Sequence, residues 1–90
     1  EADDFNSLNI YPNPFTEKVT FLYNLPEPSS VTMTIFNVKG ETVRVLINGQ
    51  REEKGLHTYD LSASGLEQGI YYCRFESAGH IEVRKIILTK

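Results

Sequence analysis

Four residues in the second half of the chain, His57, Asp60, Ser62 and Ser64, are of the types that build a nucleophilic relay. Such a relay needs a base bonded to the nucleophile, an acid orienting the base and a site for the oxyanion. Closeness in sequence supplies none of these. His57 and Asp60 stand three apart in the extended stretch LHTYDL, and an odd spacing in a strand sends side chains to opposite faces. The plainer reading is a surface histidine, plus an aspartate and a serine that bond backbone where the strand ends.

Metal chemistry finds no better footing. His57 and His80 stand alone, and Cys73 has no second cysteine at ligand spacing. Asp3–Asp4 and Glu52–Glu53 are paired acids able to hold calcium weakly, but neither pair belongs to a regular D-x-D-x-D-G loop. Solvated charged segments account for them. Cys73 alternates with Tyr71 and Phe75 in IYYCRFE, the setting of a buried, inert thiol. The chain contains no G-x-G-x-x-G, no P-loop and no G-x-S-x-G. It reads as a domain that is not an enzyme and takes no cofactor. Sugar binding needs exposed flat aromatics, and this chain has no Trp, while its five Tyr and five Phe fall mostly at strand positions.

The elements that must position these residues are strands. Period-2 alternation dominates, and no dozen residues repeat apolar side chains at helical spacing. VTFLYNL puts Val19, Phe21, Tyr23 and Leu25 on one face, and PEPSS then breaks the strand. VTMTIF turns Val31, Met33 and Ile35 inward, and NVKG is a turn in which Gly40 takes a positive φ. In ETVRVLI the pattern places Val43, Val45 and Ile47 on one face. Asn48–Gly49 then carries the strongest short turn signal in the chain, followed by QREEKG as a solvated loop or frayed edge. LHTYDL, IYYCRFE and IEVRKIILTK complete the set, separated by SASGLEQG and SAGH. About seven strands with turn signals roughly every 8–12 residues predict an all-β, immunoglobulin-like sandwich with mainly antiparallel pairing.

Composition sets the outer bounds. Ninety residues make one domain, 40% hydrophobic and 23% charged, which is globular rather than disordered. A formal net charge of −3 argues against a nucleic-acid footprint or a polybasic lipid patch. One cysteine excludes an intrachain disulfide, and no run approaches the roughly 20 apolar residues of a membrane helix. The acidic start, EADDFNS, reads as a linker from a longer protein.

The stretch NIYPNPF, Asn9 to Phe15, remains to be explained. Pro12 and Pro14 fix φ near −65° and donate no hydrogen bond, so a sheet cannot continue through them. Tyr11 and Asn13 precede prolines and are held extended. The motif therefore predicts a rigid corner at the entrance to the first long strand, with Tyr11 and Phe15 dropping into the end of the core.

YPNPF, VTMTIFNVKGETVRVL, LSASGLEQGIYYCRF and RKIILTK occur in that order across the chain. Together they resemble the type A C-terminal sorting domain of the type IX secretion system of Bacteroidetes, over about Asn9 to Lys90. The resemblance implies an immunoglobulin-like domain that directs an attached cargo through the outer-membrane translocon. A sortase-like peptidase at the cell surface then removes it. It implies an acidic linker from the preceding cargo over residues 1–8, with cleavage at or before EADDFNS, and a sorting domain over 9–90. The implied location is the periplasm in transit, then the cell surface or the medium. The implied partners are the translocon and the peptidase, with no nucleic acid, no membrane insertion and an edge strand open to homodimerisation.

By residue, Pro12, Asn13 and Pro14 match the family's opening motif, Gly40 its central turn, and Gly69 and Tyr71 the G-x-Y of a late strand. Lys85, Ile86, Ile87, Leu88, Thr89 and Lys90 match the basic-ended terminal segment associated with export. Ile86 and Leu88 are expected on one face, with Lys85 and Ile87 on the other. A partner would read the strand's backbone edge and its lysines. The alternatives are a structural immunoglobulin- or fibronectin-like spacer in a large extracellular enzyme, or a carbohydrate-binding module.

Overall fold

The computed structural model describes residues 8–90. Among them are seven strands and no helix: β1 (Asn9–Tyr11), β2 (Lys18–Leu25), β3 (Ser29–Phe36), β4 (Thr42–Glu52), β5 (Gly55–Ser62), β6 (Gly69–Ser77) and β7 (His80–Leu88). They form a three-stranded sheet ordered β1-β2-β5 and a four-stranded sheet ordered β4-β3-β6-β7. Every ladder is antiparallel. The architecture is the expected immunoglobulin-like sandwich, and the expected acidic linker lies outside the described residues except for Leu8, which is buried.

Alternation builds the core. Val19, Phe21, Tyr23 and Leu25 of β2 face Val31, Met33 and Ile35 of β3, with Tyr71, Cys73 and Phe75 of β6 beside them. Tyr23 also brings polarity inside: its hydroxyl donates to Glu52 Oε1 at 2.6 Å, and burial together with that carboxylate pushes its pKa up. The Cys73 thiol is fully buried and pushed up to about 12, chiefly by desolvation. It is protonated at neutral pH and shielded from reagents.

β4 departs from the expected pattern. Asn48–Gly49 is no turn, because β4 continues to Glu52 and absorbs the pair as a bulge. Val31 pairs with Gln50 and Met33 with Ile47, so two residues lie opposite Thr32 alone. Gly49 adopts φ +62°, and its N–H donates to Thr32 Oγ1 at 3.0 Å. Two further register shifts follow, between Met33 and Thr34 and between Ile35 and Phe36. Each slips the inside-outside phase. Val45 is therefore exposed, Leu46 packs against the core and only Ile47 of the expected trio is fully buried. The solvated loop expected over QREEKG shrinks to Glu53–Lys54, with Gln50–Glu52 in β4.

The NVKG turn forms as expected, with Gly40 at φ +83° and its N–H bonded to Asn37 O at 3.0 Å. Asn37 organises it: its Oδ1 accepts from the N–H groups of Lys39 and Glu41, at 2.9 and 3.0 Å.

Candidate functional site

The corner and the last strand, read from opposite ends of the sequence, meet in space. After β1 the chain passes through Pro12, Asn13 and Pro14, with both the Tyr11–Pro12 and Asn13–Pro14 bonds cis. Neither proline can donate to a neighbouring strand. Asn13 supplies the missing pairing with its side chain, whose carboxamide sets a donor beside an acceptor as a peptide group does. Its Nδ2–H donates to Lys85 O at 3.0 Å, and its Oδ1 accepts from Ile87 N–H at 3.0 Å.

Phe15 continues the pairing with backbone. Its N–H donates to Ile87 O and its carbonyl accepts from Thr89 N–H, both at 2.9 Å, forming a parallel bridge with Leu88. The Phe15 ring is 1% exposed and fills the end of the core. Tyr11, expected to drop in beside it, is instead 48% exposed. The rigid corner thus acts as a short extra strand laid against the outer edge of β7.

That edge is the backbone a partner was expected to read. Over Lys85–Thr89 it is already occupied, and what faces solvent is side chain. Ile86 and Leu88 are buried, Ile87 is half-buried and Lys85 is exposed, following the alternation. Lys90 is tied to the loop after β5: its N–H donates to Gln68 Oε1 at 3.2 Å, and its ammonium donates to Leu66 O.

Gly69 opens β6 opposite Leu88 of β7, and two residues on the Tyr71 hydroxyl donates to Glu67 O at 2.5 Å. A tyrosine two residues before a buried cysteine, bonded back to the preceding loop, is the corner tie of immunoglobulin sandwiches. It holds the 63–68 loop against the end of the molecule where β7 finishes. Gly40 lies apart from this assembly in the β3–β4 turn.

The chemistry-bearing residues are dispersed. His57 stacks on Tyr23 with centroids 5.5 Å apart, and its Nε2–H donates to Glu53 O at 2.6 Å. Asp60 points to the opposite face, where it accepts from the Thr20 hydroxyl at 2.7 Å. Ser62 Oγ accepts from Ser64 N–H at 3.1 Å. Among the described residues no three His, Cys, Asp or Glu side chains are grouped to hold a metal ion. Asp3 and Asp4 lie outside the described residues. Two side chains escaped the sequence reading: Asn13 as a strand mimic, and Glu82, buried on the inner face and paired with Arg84 at 2.7 Å. The alternation of IEVRKIIL carries the signal for Glu82, since it shares a face with Ile86 and Leu88.

The sequence model of a family described as "Secretion system C-terminal sorting domain" matches residues 9–89. No curated protein matches the chain.

Proposed function

The chain belongs to the family of type IX secretion-system C-terminal sorting domains, and from that membership we propose that it carries a cargo, joined ahead of it through residues 1–8, from the periplasm through the outer-membrane translocon. Membership implies interaction with the type IX machinery, attachment to a cargo and export to the cell surface or beyond. The family is one of secretion signals, not of catalysts. The finer steps are the proposal: residues 9–90 form the address, Lys85–Lys90 are read by the translocon, and a sortase-like peptidase then cuts the domain from its cargo ahead of Leu8.

The family match carries this reading, and the corner supports a physical version of it. Asn13 and Phe15 engage the Lys85–Thr89 edge, so recognition of the terminal segment falls to side chains. The Lys85 ammonium and the outer face of Ile87 are presented on a frame that cannot slip register.

The test is a fluorescent reporter with a signal peptide, fused ahead of Glu1–Lys90, in a bacterium that has this secretion system. Deleting Lys85–Lys90 would also remove Ile86 and Leu88 from the core, so the informative variant is Lys85→Glu with Lys90→Glu. Thermal melting confirms its folding, because the Lys90 ammonium also donates to Leu66 O. Export of the parent fusion and periplasmic retention of the double variant is the expected result. A parent fusion that folds yet stays in the periplasm overturns the sorting role. Export of both overturns the role of the terminal lysines.

A further inference from the structure

The outer rim of β7 is sealed along only half its length. In a strand, the N–H and C=O of alternate residues point to the same side. The bonds at Lys85 O, Ile87 N, Ile87 O and Thr89 N all leave β7 away from β6. By the same alternation the backbone groups of Ile81 and Val83 point outward too, and among the described residues none of them has a partner. The corner ends before it reaches them.

The side chains at these positions are apolar and open, Ile81 at 52% and Val83 at 55% exposure. They continue along the outer face into Ile70 and Ile87, which pair across β6 and β7. Charge on this face is uneven. Arg74 is neutralised by Glu76 at 3.3 Å, and Arg84 on the inner face by Glu82. The exposed Lys85 ammonium, at the end of the open stretch, has no acid beside it among the described residues.

The other rims offer less. β1 is three residues long, and β4 is broken by three register shifts. The β5 rim is open, and Leu56 near its start is exposed, but its remaining exposed positions, Thr58, Asp60 and Ser62, are polar, so no apolar pair lies along it. Long exposed edges with apolar flanks are the ones that accept another strand.

We infer that Ile81–Val83, with the Lys85 side chain at its end, is a docking edge for one extended segment of a partner protein, which adds as a strand with apolar side chains against Ile81 and Val83 and a carboxylate against the Lys85 ammonium. The inference rests on the export reading, and its partner is a component of the secretion machinery. Main-chain bonds supply the attraction, the Ile81–Val83 pair the fit, and Lys85 the register.

Val83→Pro tests it, because proline removes an outward N–H while leaving the β6 ladder intact. Val83→Lys keeps that N–H but sets a charge on the rim, and Thr58→Lys places the same charge on the β5 rim as a control. Each goes into the reporter fusion, with thermal melting to confirm folding. Export is expected to fall about tenfold or more for both Val83 variants, the factor worth roughly one lost bond and a blocked approach, and to be unchanged for Thr58→Lys. Normal export of a folded Val83→Pro and Val83→Lys overturns the docking edge while the export reading stands. A concentration-dependent dimer that Val83→Pro abolishes, with export intact, gives the edge to a second copy and also overturns it. Failure of the parent fusion to export removes the export reading and the inference with it.

Discussion

The two rims of the four-stranded sheet face the same hazard and meet it differently. β4 is eleven residues long and interrupts its own ladder three times, so its rim is twisted and cannot template a neighbour. β7 is nine residues long and pairs with β6 without a break from Gly69–Leu88 to Ser77–His80. Its protection comes from elsewhere: the YPNPF corner, more than seventy residues away in sequence, covers Lys85–Thr89 and stops there. One rim is blunted by local irregularity, the other by a distant segment. A regular strand guarded from outside keeps its register and leaves a defined stretch uncovered, which suits a strand that must be recognised.

Substitutions at the guards separate the two strategies. The largest effect is expected at Phe15, because Phe15→Ala removes a fully buried ring and the anchor of the corner together. It should destabilise the domain by about 3–5 kcal/mol in urea unfolding, a large share of a net stability on the order of 5–13 kcal/mol. A smaller loss would mean that the corner is fastened mainly by its hydrogen bonds. Asn13→Ala should cost about 1–2 kcal/mol, the net worth of two solvent-accessible bonds. Asn13→Asp should recover little of it, since a second acceptor would then face Lys85 O. Gly49→Ala on the β4 rim is expected to cost the least, about 1 kcal/mol, because only its left-handed φ is strained and a Cβ there meets nothing within 4 Å. If Gly49→Ala proved as damaging as Phe15→Ala, the contrast between the rims would fail.

The same contrast explains what the sequence revealed. β2, β3, β6 and β7 were legible because regular alternation is a local property, and Val19 to Leu25 or Val31 to Ile35 announce their faces without a partner. β4 departs from its expected pattern at Val45 and at Asn48–Gly49, while Ile47 is buried as expected, because a bulge is defined by two strands at once. Asn48–Gly49 signals a positive φ, which serves a turn or a bulge equally well, and only the register against Thr32 decides between them. The prolines predicted a corner but not its purpose. Asn13 reads as one more turn residue until Lys85 and Ile87 lie beside it, and nothing in a local window brings those positions together.

Amide hydrogen exchange along β7 of the intact chain tests the central claim, that the corner seals one half of this strand and leaves the other open. The N–H groups of Ile87 and Thr89 should be protected and those of Ile81 and Val83 should exchange freely. The Asn13→Ala variant should lose protection at Ile87 first. Uniform protection or uniform exchange across all four amides would contradict the account.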